Sequence, residues 1–220
     1  MLDVRCFIPE RADKLSSLLN MNLPNKLTVS RFALTALFLW ALFWPWPVPF
    51  RNTLALIFFF VAAVTDFLDG RIARARGLIT NFGILMDPLA DKVMTCSAFI
   101  AFVESTRLNP DAPVKVAAWM VVIIVARELA ITGLRLLAAS KNIVLAAEYF
   151  GKHKTISQIV AINALLVVEA CHEWPLWLKN IFAPWVVGFA EIMLWVTVTL
   201  TAASGLIYLW RNRTIYLSDM

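Results

Sequence analysis

Four aspartates, Asp66, Asp69, Asp87 and Asp91, sit at the facing ends of two apolar runs. On helices, residues three or four apart share a face, so Asp66 and Asp69 form one pair. Gly83, Asp87 and Asp91, each four apart, form a second stripe. No His or Cys stands beside them, and an all-oxygen, anionic set of ligands suits hard cations such as Mg²⁺ or Mn²⁺ rather than Zn²⁺. Four carboxylates balance two divalent ions, and a pair of metals can clamp a phosphoryl group between attacking and leaving oxygens. A single acid near a helix end is ordinarily a cap or a solvated residue. Four at these spacings, with Gly70 and Gly83 placed to let a ligand approach the backbone, are not explained that way.

The elements that must carry these acids follow from composition. The chain has 220 residues, 60% hydrophobic and 16% charged, with a mean hydropathy of +0.74. A soluble domain is typically about 45–50% apolar and about 25% charged. Disordered, collagenous and disulfide-rich secreted classes are excluded by the same numbers and by 3 Cys, 7 Gly and 10 Pro. A spanning helix takes roughly 20 apolar residues. The expected fold is an all-α integral membrane protein, a bundle of about six transmembrane helices near 27–45, 53–75, 84–104, 114–138, 153–171 and 183–210. Loops rich in Pro and interfacial Trp separate them at WPWPVPFRN, RLNPDAPVK and CHEWPLWLKN. The opposite loops are basic: RIARARG at 71–77, SKN and GKHK within 140–154, and RNR at 211–213.

The domain reading is 1–21 as an N-terminal extension, 22–213 as the six-helix domain and 214–220 as a tail. Residues 1–20 lack an apolar signal-peptide core. They read either as a juxtamembrane amphipathic helix or as residues ahead of a true start at Met21. Twelve basic residues fall on the side of Arg5, Arg11, Lys14, Lys26, Arg71, Arg74, Arg76, Lys141, Lys152, Lys154, Arg211 and Arg213, against Arg51, Arg107, Lys115 and Lys179 on the other. This bias places both termini and the four acids on the cytoplasmic side, and the membrane expected is a prokaryotic inner membrane. The net charge of +5 is thereby accounted for by topology and anionic lipid, not by nucleic acid. Pro88 suits the first turn of the third span, where a missing N–H costs nothing. Cys6, Cys96 and Cys171 have no metal-site spacing and read as free thiols.

The run Asp66-Phe-Leu-Asp69-Gly70-Arg-Ile-Ala73-Arg74, then eight residues, Gly83, three residues, Asp87, three residues, Asp91, meets D-x2-D-G-x2-A-R-x8-G-x3-D-x3-D at every fixed position. It resembles the signature of the CDP-alcohol phosphotransferases. NLPNKLTVSR at 22–31, VARELAITGLR at 125–135 and EYFGKHKTISQ at 148–158 look like the branch of that family whose acceptor is glycerol 3-phosphate.

The resemblance implies that Asp66, Asp69, Asp87 and Asp91 hold two divalent cations, Mg²⁺ or Mn²⁺. It makes Asp91 also the catalytic base toward the attacking hydroxyl, a proton transfer that needs only modest tuning of a carboxylate. Gly70, Ala73, Arg74 and Thr80, with Asn25, Thr28 and Arg31, match CDP-binding positions. Arg31 alone would otherwise read as an interfacial residue that snorkels. Arg127 and Arg135, eight apart on nearly one helix face, and Lys152 and Lys154, opening the next helix, would receive the acceptor's phosphate. Glu128 reads as a structural partner for one of these cations, and His153 as a loop residue.

The implied reaction moves the phosphatidyl group of CDP-diacylglycerol to glycerol 3-phosphate, giving phosphatidylglycerophosphate and CMP, with the bilayer and a second copy of the chain as partners. Ser204 and Gly205 in the last span suit helix association. Two alternatives stay open. The same core signature serves inositol phosphate or serine as acceptor, although four cations would be excessive for a zwitterion. Intramembrane acids also mark divalent-cation transporters, but a path should spread across the membrane, and these acids gather at one end.

Overall fold

The computed structural model describes residues 23–43, 50–76, 81–141 and 149–217, with side chains for 29–43, 50–65, 86, 89–141 and 153–216. These residues are all-helical. Six long helices, α1 (Leu23–Phe43), α2 (Arg51–Arg76), α3 (Asn81–Leu108), α4 (Ala118–Ser140), α5 (Tyr149–Ala170) and α6 (Leu176–Arg211), are followed by a short α7 (Arg213–Leu217). Their packing closes a circuit: α1 on α2, α2 on α5, α5 on α6, α6 on α4, α4 on α3 and α3 back on α1, with α3 also touching α5 inside it.

The core of this circuit is built from residues that recur on inward faces. Phe38 and Phe59 meet with ring centroids 5.5 Å apart between α1 and α2. Met94, Phe99, Ile124, Ile162, Leu166 and Leu194 are fully buried and join them. A smaller cluster of Ile131, Leu134, Ala138, Tyr208 and Ile215 closes the end where α4, α6 and α7 meet. The outward faces are apolar too. Val122, Leu129 and Leu136, seven apart on α4, are each more than 60% exposed, as are Ile192, Leu206 and Trp210 on α6. Burial cannot explain such a stripe, because a helix in water presents its polar face outward.

Two segments, His153–Glu173 and Leu176–Arg211, are long and apolar enough to cross a membrane. Val29–Phe43 and Arg51–Thr65 are shorter apolar segments. In α4 the apolar run is interrupted by Arg127 and Glu128, which turn into the bundle, and by Arg135, which is exposed.

The far end of the bundle is fastened by one carboxylate. Glu173, in a 3-10 turn (Cys171–Glu173), accepts hydrogen bonds from the backbone N–H of Asn52 at 2.7 Å and of Thr53 at 2.9 Å. It also accepts the Thr53 hydroxyl at 2.8 Å. These are the first amides of α2, which have no helical acceptor of their own and lie at the positive end of the helix dipole. Trp174 donates its indole N–H to Thr53 Oγ1 at 3.0 Å, and an aromatic chain runs on through Phe182, Trp185 and Phe189.

Several sequence expectations need correction. Pro88 is not in the first turn: α3 begins at Asn81, two turns earlier. RIARARG is not simply a loop, since α2 continues through Arg76. GKHK belongs to the opening turns of α5, so His153 is an exposed helical residue rather than a loop residue. The last long helix starts at Leu176, seven residues before the expected boundary, which leaves Trp174 and Pro175 as the non-helical residues between the 3-10 turn and α6. Cys96 and Cys171 are free thiols as expected; Cys6 and residues 1–20 lie outside the described residues.

Candidate active site at one end of the bundle

Asp91 lies on the inward stripe of α3, and its surroundings come from three other helices. From α1, Arg31 is 2% exposed and brings Nη2 to 4.0 Å from Asp91 Oδ1. The stem of an arginine can reach this far only because α1 packs directly on α3. That Asp91 oxygen is itself buried and accepts no hydrogen bond. A buried, ionised oxygen without a donor is costly, and it is the kind of atom a hard cation satisfies. Asp91 therefore fits the role of a metal ligand.

The neighbouring residue, Lys92, was not singled out from the sequence. Its Nζ donates to Thr132 Oγ1 on α4, and Thr132 in turn donates to the Glu128 backbone carbonyl at 2.8 Å. Lys92 stands within electrostatic reach of Asp91, Arg127 and Arg135. The available signal was a lysine placed immediately after the last acid of the signature.

Arg127 and Glu128 enter from α4 and Lys154 from α5. Glu128 and Lys154 are both buried, and Lys154 Nζ is paired directly with Glu128 Oε1. Arg127 Nη1 lies 3.8 Å from the same oxygen. Lys154 also feels the charges of Arg127, Asp91 and Lys92. Arg135, two turns beyond Arg127, is exposed at the rim; its Nε points to Tyr208 Oη at 3.5 Å, and its guanidinium lies 6.0 Å from the Tyr208 ring centre.

The structure thus brings together Arg31, Asp91, Arg127 and Lys154, adds Lys92 and Glu128, and leaves Arg135 at the entrance. It puts Arg31 against the acid rather than apart from it. Asn25 and Thr28 lie on α1, Asp66, Asp69, Gly70, Ala73 and Arg74 on the last turns of α2, Asp87 on α3 and Lys152 at the start of α5. Their side chains lie outside the described residues, as does Thr80 altogether. Among the described residues no three His, Cys, Asp or Glu side chains form a metal cluster; of the four signature acids, only Asp91 has a described side chain.

Chemically, this is one carboxylate with an unsatisfied oxygen facing a group of Lys92, Arg127, Arg135 and Lys154 tempered by Glu128. Among the described side chains five cations, Arg31, Lys92, Arg127, Arg135 and Lys154, stand against two acids, Asp91 and Glu128, a surplus of positive charge that suits an anion. Arg127 can offer a forked guanidinium to a phosphate, and the lysines act as point charges.

Comparison with known proteins identifies a family. The profile of the family described as CDP-alcohol phosphatidyltransferase matches residues 21–203. A protein of Bacillus subtilis (strain 168) is 39% identical over 201 residues, covering 87% of this chain and 95% of its own. One from Rickettsia bellii is 30% identical, covering 85% and 93%, and one from Shigella flexneri is 32% identical, covering 87% and 94%. Each carries the name CDP-diacylglycerol–glycerol-3-phosphate 3-phosphatidyltransferase.

Proposed function

This chain belongs to the CDP-alcohol phosphatidyltransferase family, and from that premise we propose that it transfers the phosphatidyl group of CDP-diacylglycerol to glycerol 3-phosphate. The products are phosphatidylglycerophosphate and CMP. The carrying observation is geometric: Lys92, the residue after Asp91, reaches Thr132 on α4, one turn from Glu128, which itself gathers Arg127 and Lys154. A dianionic acceptor suits that surplus of cations; serine, a zwitterion, does not.

The glycerol 3-phosphate phosphate is held by Arg127, Arg135, Lys152 and Lys154, with Lys92 adding charge from α3. This fixes its free primary hydroxyl toward Asp91. As that oxygen bonds to the lipid-side β-phosphorus, its proton passes to the Asp91 carboxylate. The bond from the β-phosphorus to the bridging oxygen breaks, and CMP departs with the electron pair. Arg74 meets the charge of the departing CMP, while Asn25, Thr28, Arg31, Gly70, Ala73 and Thr80 keep the nucleotide in register. Two Mg²⁺ or Mn²⁺ ions held by Asp66, Asp69, Asp87 and Asp91 would supply charge neutralisation at the pyrophosphate. Catalysis is then chiefly positioning and electrostatics, as in phosphoryl transfer generally.

All six long helices are read as spans of the inner membrane, with the site at the cytoplasmic face. The exposed apolar stripes of α4 and α6 support this reading, since contiguous apolar surface on that scale needs lipid or a partner. The aromatic chain from Trp174 to Phe189 suits the opposite interface. The acting unit is read as a homodimer on the family resemblance. Site placement at the boundary fits the substrates, because glycerol 3-phosphate and CMP come from water while the acyl chains stay in the bilayer.

The test is CMP release from CDP-diacylglycerol by detergent-purified protein with Mg²⁺, offering glycerol 3-phosphate, inositol phosphate or serine. Release with glycerol 3-phosphate alone supports the reading. Release with another acceptor overturns the reading of the basic cluster, and none with any of them overturns the reaction.

A further inference from the structure

We propose that Gly205 is a positioning residue for Arg127, setting the path of the arginine stem and, through it, recognition of the acceptor phosphate. The second part rests on the reading of Arg127 as an acceptor ligand.

Arg127 projects from α4 toward α6. A Cβ built on Gly205 would stand 2.6 Å from Arg127 Cγ, 3.6 Å from its Cβ and 3.9 Å from its Cδ. Three successive carbons of the arginine therefore run across the bare face of this glycine, and they are the three atoms nearest to it. The other glycines with described surroundings, Gly133 on α4 and Gly188 on α6, have nothing within 4 Å at the same point. Gly205 is buried, in a stripe of α6 with fully buried Thr201 one turn before it and Tyr208, which meets Arg135, one turn after.

A small residue in a membrane helix commonly lets two backbones approach, and the sequence suggested that use for Gly205 between copies of the chain. Within the chain the structure shows a different neighbour: the methylene stem of a charged side chain on α4. The contact is near the root of the side chain. A methyl group at position 205 must move Cγ by most of an ångström, and a shift at Cγ is amplified at the guanidinium, three bonds further on. Arg127 would then lose its present 3.8 Å relationship to Glu128. Displacements of about 1 Å in a positioning group can cost about 100-fold in rate; for one of several phosphate ligands the expected effect is about 10-fold in affinity.

The experiment compares wild type, Gly205→Ala, Gly188→Ala, Arg127→Ala and the double variant Arg127→Ala with Gly205→Ala, all as full chains in detergent. Each is measured for KM of glycerol 3-phosphate, KM of CDP-diacylglycerol, kcat and thermal midpoint. Gly205→Ala should raise KM for glycerol 3-phosphate about 10-fold while KM for CDP-diacylglycerol moves less than about 3-fold. Gly188→Ala should match wild type, and the double variant should match Arg127→Ala. An unchanged KM in Gly205→Ala overturns the proposal, as does a Gly205→Ala effect that persists undiminished beside Arg127→Ala. If Gly205→Ala fails to fold, a double variant that folds and behaves like Arg127→Ala supports the clash with the arginine, and one that also fails overturns it. A wild-type KM in Arg127→Ala overturns the acceptor role of Arg127, and the thermal midpoints separate that failure from a failure of the Gly205–Arg127 contact.

Discussion

Glu128 on α4 and Lys154 on α5 form an ion pair shut inside the bundle, and the same Glu128 oxygen lies 3.8 Å from Arg127. One carboxylate therefore serves two of the cations that the proposed reaction needs for an anion. When no acceptor is bound it offsets part of this buried positive charge. Removing one member of a buried pair strands the other, at a cost of about 3–5 kcal/mol. Glu128→Ala should lower the thermal midpoint far more than Glu104→Ala, whose partner Arg107 is solvent-exposed. Joint replacement of Glu128 and Lys154 by Leu and Met should restore most of the stability without restoring activity with glycerol 3-phosphate. Thermal unfolding in detergent beside CMP release checks both halves.

Asp91 has one buried oxygen without a hydrogen-bond donor. Asp91→Asn keeps the shape but offers a weaker ligand and no base. CMP release should fall by at least about 10²–10⁴-fold, the range for loss of general-base catalysis. Because the carboxylate is also read as a metal ligand, the Mg²⁺ concentration giving half-maximal residual rate should rise. A variant with full activity, or an unchanged Mg²⁺ requirement, would remove Asp91 from both roles.

Arg31 poses a sharper question, since its motif implies nucleotide binding while its side chain lies against Asp91. Lysine cannot reproduce the guanidinium's planar set of donors. If the geometry governs, Arg31→Lys lowers kcat while KM for CDP-diacylglycerol stays within about 3-fold. If Arg31 acts through the nucleotide alone, the KM rises and kcat holds. Steady-state kinetics with varied CDP-diacylglycerol tells the two apart.

How far the sequence reveals this arrangement depends on what kind of signal each residue leaves. Apolar run length locates six helices, with starts and ends off by up to seven residues, because burial or lipid contact demands apolar surface. It misplaces helix ends: α2 continues through Arg76 and α5 starts before Lys152, since charged residues can extend a helix beyond an apolar run as readily as they can form a loop. The same confusion misassigns Pro88 and His153. Asp91, Arg127 and Lys154 are legible because ionisable groups next to apolar runs are costly and conspicuous. Lys92 is hidden by its neighbour, and only the docking of α3 on α4 at Thr132 reveals its direction. Gly205 is legible as a small residue but not as the seat of Arg127, because the two lie 78 positions apart and no periodicity links them.

Lys92 offers a test of charge without a test of chemistry. It is tied to Thr132 and shares its surroundings with Arg127 and Arg135. Lys92→Met preserves much of the stem's volume and removes one cation from the acceptor side. The loss should raise KM for glycerol 3-phosphate about 10-fold, consistent with one charge-assisted contact. It should also flatten the dependence of that KM on salt, because fewer charges attract the incoming dianion. The Mg²⁺ requirement should remain that of wild type, since lysine is not a metal ligand. A salt-independent fall in kcat with unchanged KM would instead assign Lys92 to holding Asp91 in place, and titrations of glycerol 3-phosphate at two ionic strengths distinguish these outcomes.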